Sequence, residues 1–330
     1  MKTKLWFGLS LLTCSLFSYS YDLNQLQMHV DKQQYRLLQQ TVAALPETPK
    51  DAKLLELQAK AMISLQQDED LEDILQQALA DFPQHAELYF LAGISQFNLA
   101  QSSSIFSAPG YAKQGLSYFK QAAALAPTNP KYQRGLIDFY ASAPGIVGGD
   151  EKEAQRLADA LLTLDEVQGT LAQAALLRRN EKPAAAMALV KKLLELQPAN
   201  TDLLEGYATL LSSEKKPAEA FVLFQQTIGL YKTEVEKYDS LYQLGRLAAV
   251  EGQDLTVGKQ ALEQYIAYFT NSDNPSYPWA RIRLAQIHLK EQNKAAAEQV
   301  LAPLLAKKPK EEKLQHELKT LTKALTQLKS

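Results

Sequence analysis

Apolar residues recur three and four places apart along most of the chain, which puts them on one face of a helix. Leu55, Ala59 and Met62 mark one such helix, and Leu71, Leu75 and Ala78 the next, closed by Pro83. No alternating run of β-branched residues bounded by turn pairs predicts a strand. The helical pattern also repeats. Glu181–Val190 aligns without gaps on Lys215–Phe224, an offset of 34 residues that also links Leu55 to Tyr89, Ala59 to Gly93 and Ala174 to Ala208. A proline follows a small residue 24 places later at Ala59/Pro83, Ala174/Pro198 and Ala285/Pro309.

Each element of this pattern has a physical role. Small residues such as Gly93, Ala208, Gly245 and Ala285 let the first helix of a pair approach the second closely. Ala186, Ala220 and Ala297 receive the facing helix, and Val190, Phe224 and Leu301 fill the next layer. Pro83, Pro127, Pro198 and Pro309 end second helices, because proline has no N–H to donate and its ring clashes with the preceding turn. A single hairpin of this kind exposes apolar surface on too many sides, so stability comes from stacking neighbours.

In these residues the chain resembles the tetratricopeptide repeat (TPR) family, whose unit is two antiparallel helices in 34 residues. The resemblance implies an all-α, TPR-type α-solenoid of about eight antiparallel helix pairs over residues 21–309. Residues 310–330 form a C-terminal capping helix in this reading, with Leu314, Leu318, Leu321 and Leu325 on its apolar face.

Residues 1–20 read as an address segment. Lys2 and Lys4 precede an apolar run from Leu5 to Phe17, and Ser18 and Ser20 offer small residues for cleavage before Tyr21. The run is shorter than the roughly 20 residues a membrane-spanning helix needs. The expectation is therefore a signal peptide and an exported, periplasmic chain. Leu11–Cys14 also resembles a bacterial lipobox with Thr13 where the pattern wants Gly, Ala or Ser, which leaves a lipid anchor at Cys14 as the alternative.

Composition narrows the function. With 35 Lys+Arg against 37 Asp+Glu the net charge is −2, and no excess of cations is available to displace counterions from nucleic acid. One cysteine excludes a disulfide framework and a multi-thiolate metal site. His29, His85, His288 and His316 are dispersed, without metal-ligand spacing. Ser213 and Lys216 match a Ser-x-x-Lys string only in a polar turn. Gly145, Gly148 and Gly149 lack the arrangement and the basic residue of a phosphate loop. No cofactor, metal or catalytic residue is expected, and the chain reads as a non-enzymatic scaffold.

Binding is expected at two places. The resemblance puts first helices on the concave face, where Phe90, Ile94, Phe97, Arg134, Asp138, Arg178, Arg179, Tyr242 and Trp279 become groove candidates for a protein or peptide. Arg134, Arg178 and Arg179 suit an acidic segment. Phe90, Ile94 and Phe97 suit instead a small molecule or lipid carried for a transport system. The second place is an edge built by two insertions, near 101–111 and 143–150. Pro83 to Pro127 spans 44 residues, ten beyond the period. Ile105, Phe106, Pro109 and Gly110 from one insertion and Pro144, Ile146, Val147, Gly148 and Gly149 from the other form either a binding surface or two loops packed on each other.

Overall fold

The computed structural model describes residues 21–45, 50–232, 235–307, 309 and 311–328. The expected signal segment and Cys14 lie outside these residues. Among them there are seventeen α-helices and no strand. The first four pairs are α1 (Leu23–Asp31) with α2 (Tyr35–Ala43), α3 (Ala52–Ser64) with α4 (Asp68–Asp81), α5 (Ala86–Ser102) with α6 (Ala108–Leu125), and α7 (Pro130–Ser142) with α8 (Glu151–Leu164). Then follow α9 (Glu166–Arg179) with α10 (Pro183–Leu196), α11 (Thr201–Ser213) with α12 (Pro217–Ile228), α13 (Tyr238–Glu251) with α14 (Leu255–Tyr268), and α15 (Ser276–Lys290) with α16 (Lys294–Lys307). The last helix, α17 (Glu312–Gln327), lays Leu314, Leu318, Leu321 and Leu325 against Ile282, Ala285, Leu301 and Leu304 of α15 and α16.

Local sequence sets the helix ends. Asp22, Asp51, Asn129, Asp150, Asp165, Asn200 and Asp254 each accept an amide hydrogen from the first turn they precede, which satisfies donors the helix leaves unpaired. Pro83, Pro127, Pro198 and Pro309 each stand two residues beyond the end of a second helix. Asp150 takes the Lys152 and Glu153 amides, but the reciprocal half of a capping box is missing, because the Glu153 carboxylate binds Arg156.

The tight turns inside pairs share one backbone device. Gln33, Gln66, Glu181, Lys215 and Gln292 have φ between 51° and 59°, and Gly252 fills the same place with φ 75°. The residue after each non-glycine member donates its N–H back five residues, as Gln34 does to His29 at 2.7 Å and Lys216 to Leu211 at 2.9 Å. In the longer connection of the fourth pair Gly148 takes a positive φ of 105° and Gly149 donates to the Pro144 carbonyl at 3.1 Å, whereas the described residues of the third pair's connection include no positive φ.

The first insertion differs from its expected form. Its extra residues mostly lengthen helices: α5 has 17 residues and α6 has 18, and only Ser103–Ser107 connect them. Pro109 and Gly110 lie in the first helical turn of α6, where a proline loses no hydrogen bond.

Buried small residues sit where the repeat predicts them. Ala59, Ala186, Ala208, Ala220, Ala285 and Ala297 have no exposed surface. Each apolar cluster reaches into a neighbouring pair or, at the C-terminal end, the capping helix, as when Ala59, Leu71 and Leu75 pack with Leu88 and Leu91. Polar links cross pairs as well. The Glu87 carboxylate on α5 accepts from Lys131 of α7 at 2.7 Å and from the Tyr132 hydroxyl at 3.1 Å, and lies 3.2 Å from Lys60 of α3. Burial pushes its pKa up, and the two lysines more than reverse this, leaving it below its usual 4.5. A carboxylate depressed by folding stabilises above its unfolded pKa and loses that contribution as pH falls through the folded one. Glu87→Gln should therefore lower stability by about 1 kcal/mol at neutral pH. The difference from wild type in urea melts should shrink toward zero between about pH 5 and pH 3. A gap independent of pH would contradict this role.

The array also touches itself across 237 residues of sequence. The Asp273 amide, between α14 and α15, donates to the Gln33 carbonyl at 2.7 Å. Its carboxylate accepts from the Arg36 amide at 2.8 Å and pairs with the Arg36 guanidinium. The superhelix thus curls until the turn inside the first pair meets the turn between the seventh and eighth. Asp273→Ala removes both carboxylate contacts and keeps the backbone one. Spin labels on cysteines introduced at Asn24 and Asn271 should report a longer, broader distance distribution in that variant. An unchanged distribution would show that winding alone sets the closure.

Candidate functional site

A groove of 440 Å³ runs across α7, α9 and α11, and its polar wall residues include Arg134, Gln168, Arg178, Asp202, Glu205 and Thr209. A second recess of 440 Å³ shares Arg134 and Arg178 and adds Asp138, Ser142 and Arg179. The structure therefore brings together the four charged groove candidates of α7 and α9. They meet because Arg178 and Arg179 occupy the last turn of α9, where positive charge complements the helix dipole, and α7 packs beside that helix.

The two charge types in the groove are not equivalent. Asp202 accepts from Gln168 Nε2 at 2.8 Å, across one repeat. Glu205 accepts from the Ser240 hydroxyl and also bonds Tyr231. Burial, and then that carboxylate, push the Tyr231 pKa up, so its hydroxyl stays a donor. On the basic wall Arg134 Nε donates to Asp138 Oδ1 at 3.0 Å within one helix. Arg178 and Arg179 are exposed, and their guanidinium groups have no hydrogen-bond or ion-pair partner among the described residues. The acids are thus occupied and the outer arginines free.

The apolar groove candidates lie elsewhere. Phe90 is buried between pairs, with ring centroids 5.6 Å from Phe119 and 5.2 Å from Tyr132. Phe97 packs edge-on to Phe139 at 5.8 Å, and Ile94 is partly buried against the same cluster. All three pack between helices, Phe90 fully and Ile94 and Phe97 in part. The long α5 and α6 supply the reason: more aromatic surface requires more cover. Tyr242 and Trp279 are half-buried on α13 and α15, beyond the groove.

The inserted edge is divided. Ile105, Phe106 and Ile146 are more than four-fifths exposed, whereas Val147 is 6% exposed and belongs to the Phe119 cluster. Three apolar side chains of this edge are therefore open to solvent and one is not. Gly145–Val147 form a single 3-10 turn after Pro144. Gly148 has φ 105°, and a Cβ at Gly149 would stand 1.8 Å from the Ala143 carbonyl oxygen. Gly149 thus answers to backbone crowding and Gly148 to its positive φ, whereas a Cβ at Gly145 would meet nothing within 4 Å. Among the described residues no group of His, Cys, Asp and Glu is arranged to hold a metal ion, and no helix is long and apolar enough to cross a membrane.

Two contacts carry little signal in sequence. Arg283 of α15 lies over Trp279 one turn earlier in its own helix and reaches across to Tyr242 of α13, and Asp273 reaches Arg36 only because the array winds. The first was open to repeat alignment; the second was not.

Comparison with known proteins agrees with this architecture. Residues 249–321 match the family model described as Tetratricopeptide repeat. The crystal structure of yeast Tom70 is similar over 96% of this chain and 66% of its own, with 16% identity and a TM-score of 0.61. A chain of the APC/C hetero-tetramer Cut9–Hcn1 is similar over 91% of this chain and 55% of its own, with 14% identity and a TM-score of 0.50. This protein therefore spans less than two thirds of either. No curated protein matches the sequence. All-helical throughout its described residues and built of stacked pairs, the chain is a TPR-like helical repeat, an α-solenoid of the tetratricopeptide kind.

Proposed function

We propose that the protein is a non-enzymatic scaffold of the bacterial envelope that holds an acidic segment of a partner protein against α7, α9 and α11. The TPR fold supports a protein or peptide partner. The observation that carries the acidic preference is the imbalance of free charge: Asp202 and Glu205 are hydrogen-bonded within the protein, while Arg178 and Arg179 are not. Guanidinium groups bind carboxylates with paired, charge-assisted hydrogen bonds. The basic n-region, apolar run and small residues of positions 1–20 support export. The lipid-carrier alternative loses its motive, since Phe90, Ile94 and Phe97 are spent on packing.

A photo-crosslinking residue at exposed Thr209 in the groove, introduced into the full chain in native envelopes, tests this reading. The expected product is a crosslink to an Asp/Glu-rich segment, absent when the same residue replaces Lys192 on α10. Recovery of the chain in the cytoplasmic fraction, or crosslinks without acidic sequence, would overturn it.

A further inference from the structure

A second cluster of cationic side chains lies farther along the array, on α13 and α15. Arg246 of α13 donates through Nε to Gln243 at 2.8 Å and through Nη2 to the Ser212 hydroxyl of α11 at 3.0 Å. Arg283 of α15 donates through Nη1 to Gln286 at 2.9 Å, and its guanidinium lies over the Trp279 ring, 5.4 Å from the centroid. It also hydrogen-bonds the Tyr242 hydroxyl, which feels the charge of both arginines. Both arginines are half-buried, and Arg283 Nε is buried with no partner at all. Among the described residues neither has a carboxylate within ion-pair distance. The nearby acid Glu317 of α17 is engaged only by the Gln286 amide, at 3.5 Å.

Two guanidinium groups sharing one tyrosine, with only neutral partners, repel each other in a partly dehydrated setting. An anion between them removes that repulsion and finds unused donors, because each guanidinium has five N–H groups. Tyr242 adds a further donor. Its oxygen is taken by Arg283, so its own proton remains free. Burial keeps the hydroxyl protonated, with the two arginines acting the other way. The stack on Trp279 holds the Arg283 plane in place.

We propose that Arg246, Arg283 and the Tyr242 hydroxyl form an oxyanion-binding site that takes a carboxylate or phosphate group. The site stands independently of the α7–α11 groove. It lies on the same lane, however: Arg178, Ser212 and Arg246 follow one another at intervals of 34 residues. A partner's carboxylate or a free phosphate ion can supply the oxyanion.

Trp279 gives a direct readout, since Trp6 is the other tryptophan of the chain and can be replaced by phenylalanine. The full chain carrying Trp6→Phe is titrated with inorganic phosphate and, separately, with acetyl-triglutamate amide, at constant ionic strength set with chloride. At least one titration should change Trp279 emission saturably, with affinity reduced about tenfold or more by Arg246→Gln and by Arg283→Gln. Arg178→Glu should leave phosphate binding unchanged, which separates this site from the α7–α11 groove. Saturation by phosphate alone assigns a free-ion source, and saturation by the peptide alone assigns a partner's carboxylate. No saturable response to either, or a response that persists in the Arg246→Gln/Arg283→Gln double variant with its helical signal and melting intact, overturns the site.

Discussion

One added methyl group at Gly169 will destabilise the array by about 1–3 kcal/mol, at the upper end of that range. Gly169 lies in the first turn of α9, and Asp165 is both the last cap of α8 and the first cap of α9. The chain therefore reverses in a single residue, which presses the two helices together. A Cβ at Gly169 would stand 2.2 Å from Leu162 Cα, 2.4 Å from Leu162 N and 2.9 Å from Leu161 C, all of them backbone atoms. No side chain can rotate to make room, so the α8–α9 contact must open. Gly110 makes the opposite case. It is helical, with nothing within 4 Å of a built Cβ, so Gly110→Ala should be neutral or stabilise by up to about 1 kcal/mol. Because contacts in a solenoid are mostly between neighbours, hydrogen exchange in Gly169→Ala should rise first in α8 and α9. Protection there equal to wild type would contradict the argument.

The second large effect is on binding. Reversing both free arginines, Arg178→Glu with Arg179→Glu, turns the outer basic wall acidic while leaving Asp138, Asp202 and Glu205 in place. An acidic segment then loses two favourable pairs and meets two like charges, so affinity should fall at least about tenfold, or ~1.4 kcal/mol. The cost to folding is smaller, on the order of 0.3–1 kcal/mol for each negative charge at the C-terminal end of α9. Lys191→Glu with Lys192→Glu changes the net charge equally but alters exposed residues of α10, the second helix of that pair, and should leave binding unaltered. Equal losses in the two variants would mean that net charge alone attracts the partner.

How far the sequence discloses this protein depends on the range of the interaction. Helix pairing is legible because it is written in neighbours: Ala174 against Ala186, Ala208 against Ala220, and a proline two residues past each of four second helices. The span of the first insertion is less legible. Pro109 and Gly110 look like loop residues, yet the first turn of a helix accepts proline, and one glycine costs a helix only about 1 kcal/mol. Phe90 and Phe97 illustrate another limit. Their spacing marks an apolar face, but whether that face meets solvent or the next pair depends on how far α5 and α6 extend. The charged groove survives because Arg134, Arg178 and Arg179 have nowhere to go but the polar side of their helices. The contact of Asp273 with Arg36 is beyond any local pattern, since it sums the small rotation between one pair and the next over seven pairs.

The most direct test of the account is a fluorescence anisotropy titration of a labelled glutamate-rich peptide with the full chain, beside a lysine-rich peptide of equal length. Binding of the acidic peptide should saturate, weaken as salt is raised, be lost in Arg178→Glu/Arg179→Glu, and be unchanged in Lys191→Glu/Lys192→Glu. Preference for the lysine-rich peptide, or acidic binding that survives reversal of Arg178 and Arg179, would contradict it.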